Sequence, residues 1–111
     1  MDIVFSSSKL EKEFNSGKEL NKVHGPQRAK AIMKRVTQLA VADNLEQLRN
    51  APGRCHVLKG DLAGIFSLDL DGPYRLLFES TGDSPPALDD GSIIWSLISS
   101  VRILEVRDTH D

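Results

Sequence analysis

Three places in the sequence carry side chains that can move a proton or hold an anion. The first is His56-Val57-Leu58-Lys59-Gly60-Asp61. An imidazole can take or give a proton near neutral pH, and a nearby lysine can hold a phosphate. On an extended strand His56 and Leu58 share one side, while Lys59 faces the other until Gly60 turns the chain. The second place is Arg75, within Tyr74-Arg75-Leu76-Leu77-Phe78. Alternation sends Tyr74, Leu76 and Phe78 to one face and Arg75 with Leu77 to the other. If helices cover the first face, Arg75 stands on open sheet, where a guanidinium can bind phosphate through paired hydrogen bonds. The third is Glu105-Val106-Arg107-Asp108-Thr109-His110-Asp111. A continued strand there would align Leu104, Val106, Asp108 and His110, with the carboxylate able to orient the imidazole. Each place also has an ordinary structural use: a surface His and Lys at a strand end, a cross-strand partner for an acidic residue, and a polar tail.

Other chemistries find less support. Cys55 is the only cysteine in 111 residues, so neither an intrachain disulfide nor a multi-cysteine metal site can form. No phosphate-binding loop, dinucleotide fingerprint or zinc-ligand spacing occurs, and His24, His56 and His110 are scattered. The formal net charge of -2 opposes a broadly basic nucleic-acid-binding surface, leaving room only for a local patch of cations. With 40% hydrophobic and 27% charged residues, the chain has the composition of a globular protein. It lacks an apolar run long enough to span a bilayer, and its start, Met1-Asp2-Ile3-Val4-Phe5, does not read as a signal peptide, which together point to the cytoplasm.

The elements that must position these residues are legible as helices followed by strands. Ile3-Val4-Phe5 reads as a short first strand. Ser8-Lys9-Leu10-Glu11 has capping-box spacing and predicts a helix that carries Leu10, Phe14, Leu20 and Val23 and ends near His24-Gly25. Pro26 suits the first turn of a second helix, with Ala29, Ile32, Met33, Val36, Leu39 and Ala40 as its apolar stripe and a solvated basic side. Asp43 or Asn44 can cap a short third helix carrying Leu45 and Leu48, which Pro52-Gly53 stops. Strands are expected at Arg54 to Leu58, Gly64 to Leu70 and Pro73 to Glu79, the last two joined by a hairpin turn at Asp71-Gly72. Ser80 to Ser92 reads as a polar loop, and Ile93 to Ser99 as either a strand or a helical turn burying Trp95. Val101 to Arg107, apolar on both sides, predicts an interior closing strand. The result is one α+β domain over residues 1–111, with helices on one face of a mostly antiparallel sheet.

The order of Arg54-Cys55-His56-Val57-Leu58-Lys59-Gly60-Asp61, Gly64-Ile65-Phe66-Ser67-Leu68-Asp69 and Tyr74-Arg75-Leu76-Leu77-Phe78 resembles the HigB-type "plasmid maintenance killer" toxins of the RelE/ParE superfamily. The resemblance implies a RelE-like fold, with N-terminal helices on one sheet face and a concave basic face opposite. It implies ribosome-dependent endonucleolytic cleavage of mRNA without a metal or other cofactor. The implied partners are the ribosome, mRNA and a helix-turn-helix, HigA-like antitoxin in a toxin–antitoxin hetero-oligomer, with no membrane. Carried over by position, His56, Arg75, Asp108 and His110 fall at catalytic positions, and Lys59 and Arg54 at RNA- or phosphate-contacting ones.

In such a reaction the ribose 2′-hydroxyl attacks the adjacent phosphorus, a base removes its proton, and an acid protonates the departing 5′ oxygen. Histidine suits either task, and cations stabilise the added negative charge of the transition state. Two positions depart from the family pattern: Thr109 stands where Tyr is usual, and Leu62 where Arg is common. These changes and the acidic balance also fit a fold relative that has weakened or lost cleavage and acts by binding, through ParE-like gyrase inhibition or partner sequestration.

Overall fold

A computed structural model describes residues 1–109. Strand β1 (Asp2–Phe5) leads into helix α1 (Ser8–Phe14), whose cap is Ser7: its hydroxyl accepts from the Leu10 amide at 3.1 Å. The predicted single helix from Ser8 to His24 is two helices. Ser16 takes an extended conformation and caps helix α2 (Gly17–His24) by accepting from the Glu19 amide at 3.2 Å. A serine that can satisfy a helix-start amide with its own hydroxyl competes with helix continuation, and here it wins. Helix α3 (Pro26–Val41) has Pro26 in its first turn, as expected. Its buried stripe is narrower than predicted: Ala29, Ile32 and Leu39 are buried, whereas Met33 and Ala40 are exposed.

Leu45–Leu48 form a 3₁₀ turn in place of the expected short helix, both leucines being buried. The remaining strands are β2 (His56–Val57), β3 (Phe66–Asp69), β4 (Tyr74–Ser80) and β5 (Ser100–Asp108), with a 3₁₀ turn at Trp95–Leu97 burying Trp95. Strand β2 is much shorter than the Arg54 to Leu58 expectation. The sheet order is β1-β5-β4-β3-β2, with β1 parallel to β5 and the other pairs antiparallel. Strand β5 therefore has partners on both sides, as its apolar sequence predicts.

The core lies between helices and sheet. Leu20, Ile32, Leu39, Phe66, Leu68, Leu76, Phe78 and Ile103 are all fully buried there. Phe66 stacks on Phe78 at 5.6 Å between ring centroids and meets the edge of Trp95 at 5.0 Å. This packing claims one face of β3 and β4. Alternation then turns Ser67 and Asp69 of β3, with Arg75 and Leu77 of β4, to the other face.

Strand β5 reaches the same arrangement through a bulge. Leu77 pairs with Glu105 while Phe78 pairs with Ile103, so Leu104 is left without a partner on β4. Val101 and Ile103 face the core before this bulge and Val106 packs against it afterwards, so Glu105 and Arg107 join the outward face.

Candidate functional site

The hairpin between β3 and β4 sets the first alignment. Pro73 has no amide hydrogen, and pairing resumes only where the Leu70 amide donates to the Tyr74 carbonyl at 3.0 Å. The loop thus spans Asp71, Gly72 and Pro73, one residue more than the expected turn, with Gly72 at φ +53°. That extra residue sets Arg75 directly opposite Asp69.

The segment before β2 makes the second alignment. Gly53 has φ +107° and Arg54 has φ +51°, an uncommon conformation for a residue with a side chain. The Gly53 carbonyl accepts from the Asp69 amide at 2.8 Å, and Arg35 Nε donates to the Asp69 carbonyl at 2.7 Å. Asp69 is thereby fixed on both sides of its own backbone. Arg54 then lies across from Asp69, and His56 across from Ser67.

Asp69 ties these strands together. Arg54 donates from Nε to Oδ2 at 2.8 Å and from Nη2 to Oδ1 at 3.3 Å, while Arg75 Nε stands 3.0 Å from Oδ1. Arg75 is further held by its Nη1, which donates to the Gly72 and Tyr74 carbonyls at 2.8 Å each. Its side chain is only 19% exposed, whereas Arg54 is 68% exposed. Burial alone would push the Asp69 carboxyl up, but the Arg54 hydrogen bond and the charges of Arg75, Arg54 and His56 together hold it below the usual carboxylate range. The same contact, first through its hydrogen bond, raises Arg54 further.

His56 is fixed by a shorter-range contact. Its Nδ1 lies 2.8 Å from the Arg54 carbonyl oxygen. A carbonyl can only accept, so Nδ1 carries the hydrogen, and the neutral ring presents Nε2 as an acceptor. An imidazole held in that tautomer can remove a proton through Nε2. His56, Arg54, Arg75 and Asp69 therefore share one neighbourhood on the outward face.

The other expected residues lie apart from this group. Lys59 is exposed at the start of the 3₁₀ turn Gly60–Leu62, beyond the end of β2 opposite to Arg54. Lys59 lies three residue steps along extended chain from His56, a span of about 10 Å. Asp108 pairs with Tyr74, whose ring lies beneath Arg28 of α3 at 3.4 Å, so strand alternation gives Asp108 to the face opposite that of Arg75. Thr109 donates from its amide and its hydroxyl to the Pro73 carbonyl, each at 2.9 Å, which anchors the end of β5 to the hairpin. His110 lies outside the described residues.

The cations of the outward face, expected to be basic, are compensated by carboxylates. Arg102 pairs with Glu79 at 2.8 Å and Arg107 with Glu105 at 2.9 Å, so each of the arginines on this face, Arg54 and Arg75 included, meets a carboxylate. Between the two ends of the face, Ser67 and Leu77 are each only 1% exposed and form a closed floor. Asp69, Glu105 and Arg107 stood within the runs quoted from the sequence but were given no role there. The hairpin register was the signal for Asp69, since it sits as far before the loop as Arg75 sits after it.

Cys55 precedes His56 but points away from this chemistry: it is buried, and burial pushes its thiol up to about 12. Among the described residues, no three His, Cys, Asp or Glu side chains gather as metal ligands, and no helix is long and apolar enough to cross a membrane.

Comparison with known proteins fits this fold. The family of HigB-like toxins, RelE-like toxins of type II toxin–antitoxin systems, matches residues 3–86. The chain belongs to that family. This HigB-like toxin also resembles the solved structure of a YoeB/ParE toxin from Agrobacterium tumefaciens, with a TM-score of 0.59 and 16% identity over 99% of this chain and 100% of that one. At that identity the likeness speaks for the fold alone. No curated protein matches the chain. Membership of a type II toxin family gives the HigB-like toxin an antitoxin as its partner.

Proposed function

We propose that this HigB-like toxin is a cytoplasmic, ribosome-dependent mRNA endonuclease that uses the RNA's own 2′-hydroxyl as nucleophile. The observation that carries this reading is the convergence of His56, with its Nδ1 held by the Arg54 carbonyl, and the guanidinium groups of Arg54 and Arg75. His56 Nε2 takes the 2′-hydroxyl proton as the oxygen attacks phosphorus. Arg54 and Arg75 stabilise the charge that builds on the non-bridging oxygens, with Arg75 already oriented by two backbone carbonyls. Lys59 guides a neighbouring phosphate. The departing 5′ oxygen needs a proton, for which His110 is the proposed donor; Asp108, turned to the other face of the sheet, is left out of the proton path. The partners of this reading are the ribosome, mRNA and a helix-turn-helix, HigA-like antitoxin that covers the toxin in a hetero-oligomer.

The test is an in vitro translation reaction containing purified ribosomes, with cuts read by primer extension. Wild-type protein should cut the translated message, and His56→Ala should reduce cutting by about 10²-fold or more, the usual worth of a positioned general base. Intact message with folded wild-type protein and translating ribosomes would defeat this function.

One observation favours a second reading, in which the chain acts by binding alone, as a gyrase inhibitor or a partner-sequestering protein. It is the pairing of each outward arginine with a carboxylate, which leaves little uncompensated positive charge for RNA. Inhibition of gyrase supercoiling without any ribosome-stimulated cuts would select it.

A further inference from the structure

Asp69 differs from the other carboxylates on the outward face because it holds arginines from two separate segments at once. Glu79 pairs with Arg102 across adjacent strands, and Glu105 with Arg107 along one strand. Asp69 receives Arg54 on both of its oxygens and Arg75 on one. Paired guanidinium groups around two oxygens of one anion make the arrangement that arginines offer to a phosphate.

Arg75 has supports for this orientation besides the anion, since the Gly72 and Tyr74 carbonyls hold its Nη1 from within the hairpin. Arg54, largely exposed, can follow the anion. The Asp69 backbone is fixed by Gly53 and Arg35, so its carboxylate projects from a held point of the strand toward both guanidinium groups. The clamp is thus built and already filled.

We propose that Asp69 is an internal occupant of the phosphate clamp formed by Arg54 and Arg75, a carboxylate that an RNA phosphodiester must displace before it binds. The inference rests on the reading of this face as an RNA site and adds the residue that sets its affinity. With Asp69 charged, an incoming phosphate meets two cations already half-neutralised and a like charge within a few Å. Replacing the carboxylate by its neutral isostere removes that like charge and leaves the shape intact.

The test uses the full chain and a short single-stranded RNA made uncleavable by 2′-deoxy substitution, with binding followed by fluorescence anisotropy across a salt series. Asp69→Asn should bind about ten- to a hundredfold more tightly than wild type at low salt, the effect of one unit charge a few Å away at intermediate dielectric. Its plot of log K against log salt should steepen by about 0.7 for each additional phosphate that the freed arginines neutralise. Asp69→Ser should show the same tightening, which guards against a folding defect specific to one variant. Adding Arg54→Ala to Asp69→Asn should remove most of it.

Equal or weaker binding by both folded Asp69 variants overturns the proposal and makes Asp69 a support for the arginines instead. Cleavage in the translation assay is read separately. Tighter binding without cuts leaves the filled clamp standing while the nuclease reading fails, and wild-type cleavage with unchanged binding does the reverse.

Discussion

Gly53→Ala offers the sharpest check on how the site is positioned. A Cβ at residue 53 would stand 3.0 Å from Arg35 Nε, 3.1 Å from Arg35 Cζ and 3.0 Å from Leu68 Cδ2. Leu68 is a fully buried core residue and cannot retreat without disturbing its neighbours. Arg35 can move only by giving up its 2.7 Å bond to the Asp69 carbonyl. Holding a residue with a side chain at a left-handed φ costs about 1–2 kcal/mol, and loss of the Arg35 bond adds about 1–2 kcal/mol, for a total of about 2–4 kcal/mol. A domain of this size has an unfolding entropy of about 0.23 kcal/mol/K, so the melting temperature should fall by about 9–17 °C. Thermal unfolding followed by circular dichroism measures this. Gly17→Ala is the control, because nothing lies within 4 Å of its Cβ position and the residue begins helix α2. It should melt at the wild-type temperature or a few degrees higher. If the two variants melt together, the strained turn does not hold Arg54 and Asp69 in the way described.

Two other outcomes follow from the titrating groups. With its thiol pushed up to about 12 against an ordinary value of 9.0, Cys55 carries roughly 10³-fold less thiolate than an exposed cysteine at pH 8. It should react with a thiol reagent such as dithionitrobenzoate only on unfolding, and rapid stoichiometric labelling of the native protein would contradict its burial. The Asp69 carboxyl is depressed in the folded state, so its ionisation stabilises the fold above the ordinary aspartate value of about 3.9, and that contribution is lost as pH falls through the lower folded value. Asp69→Asn should therefore cost on the order of 1 kcal/mol in urea unfolding at pH 7 and measurably less at pH 2, because the carboxylate's contribution falls away as it becomes protonated. An equal cost at both pH values would show that charge is not what Asp69 contributes.

The elements were legible where a single local signal dominated. Pro26 with the stripe after it announced α3, and Asp71-Gly72 announced the hairpin. The division between α1 and α2 was not legible from apolar spacing, because Leu10, Phe14 and Leu20 are buried or half-buried on either side of the break. Only the preference of Ser16 for capping gives it away. The apolar character of β5 was read as burial on both faces, yet part of it comes from the bulge at Leu104, which transfers the core-facing positions from Ile103 to Val106. A bulge depends on pairing with other strands, so no local pattern reports it.

The candidate site divides in the same way. Alternation within β4 placed Arg75 on the outward face, and the His56 neighbourhood followed from the short strand beside it. Asp69 escaped notice because its part depends on cross-strand register, which Pro73 shifts by one residue. Asp108 was expected beside the other catalytic candidates, but its pairing with Tyr74 gives it to the helix-covered side.

The parallel pairing of β1 with β5 has a consequence for when the molecule becomes competent. Asp2 to Phe5 are made long before their partners, Ser100 to Ile103, and β4 also waits for β5 along most of its length. Contacts so distant in sequence form late and slowly. During its own synthesis the chain therefore has helices and a hairpin but lacks the strand that joins the two edges of the sheet. A growing polypeptide in that state cannot yet present the finished outward face of the sheet.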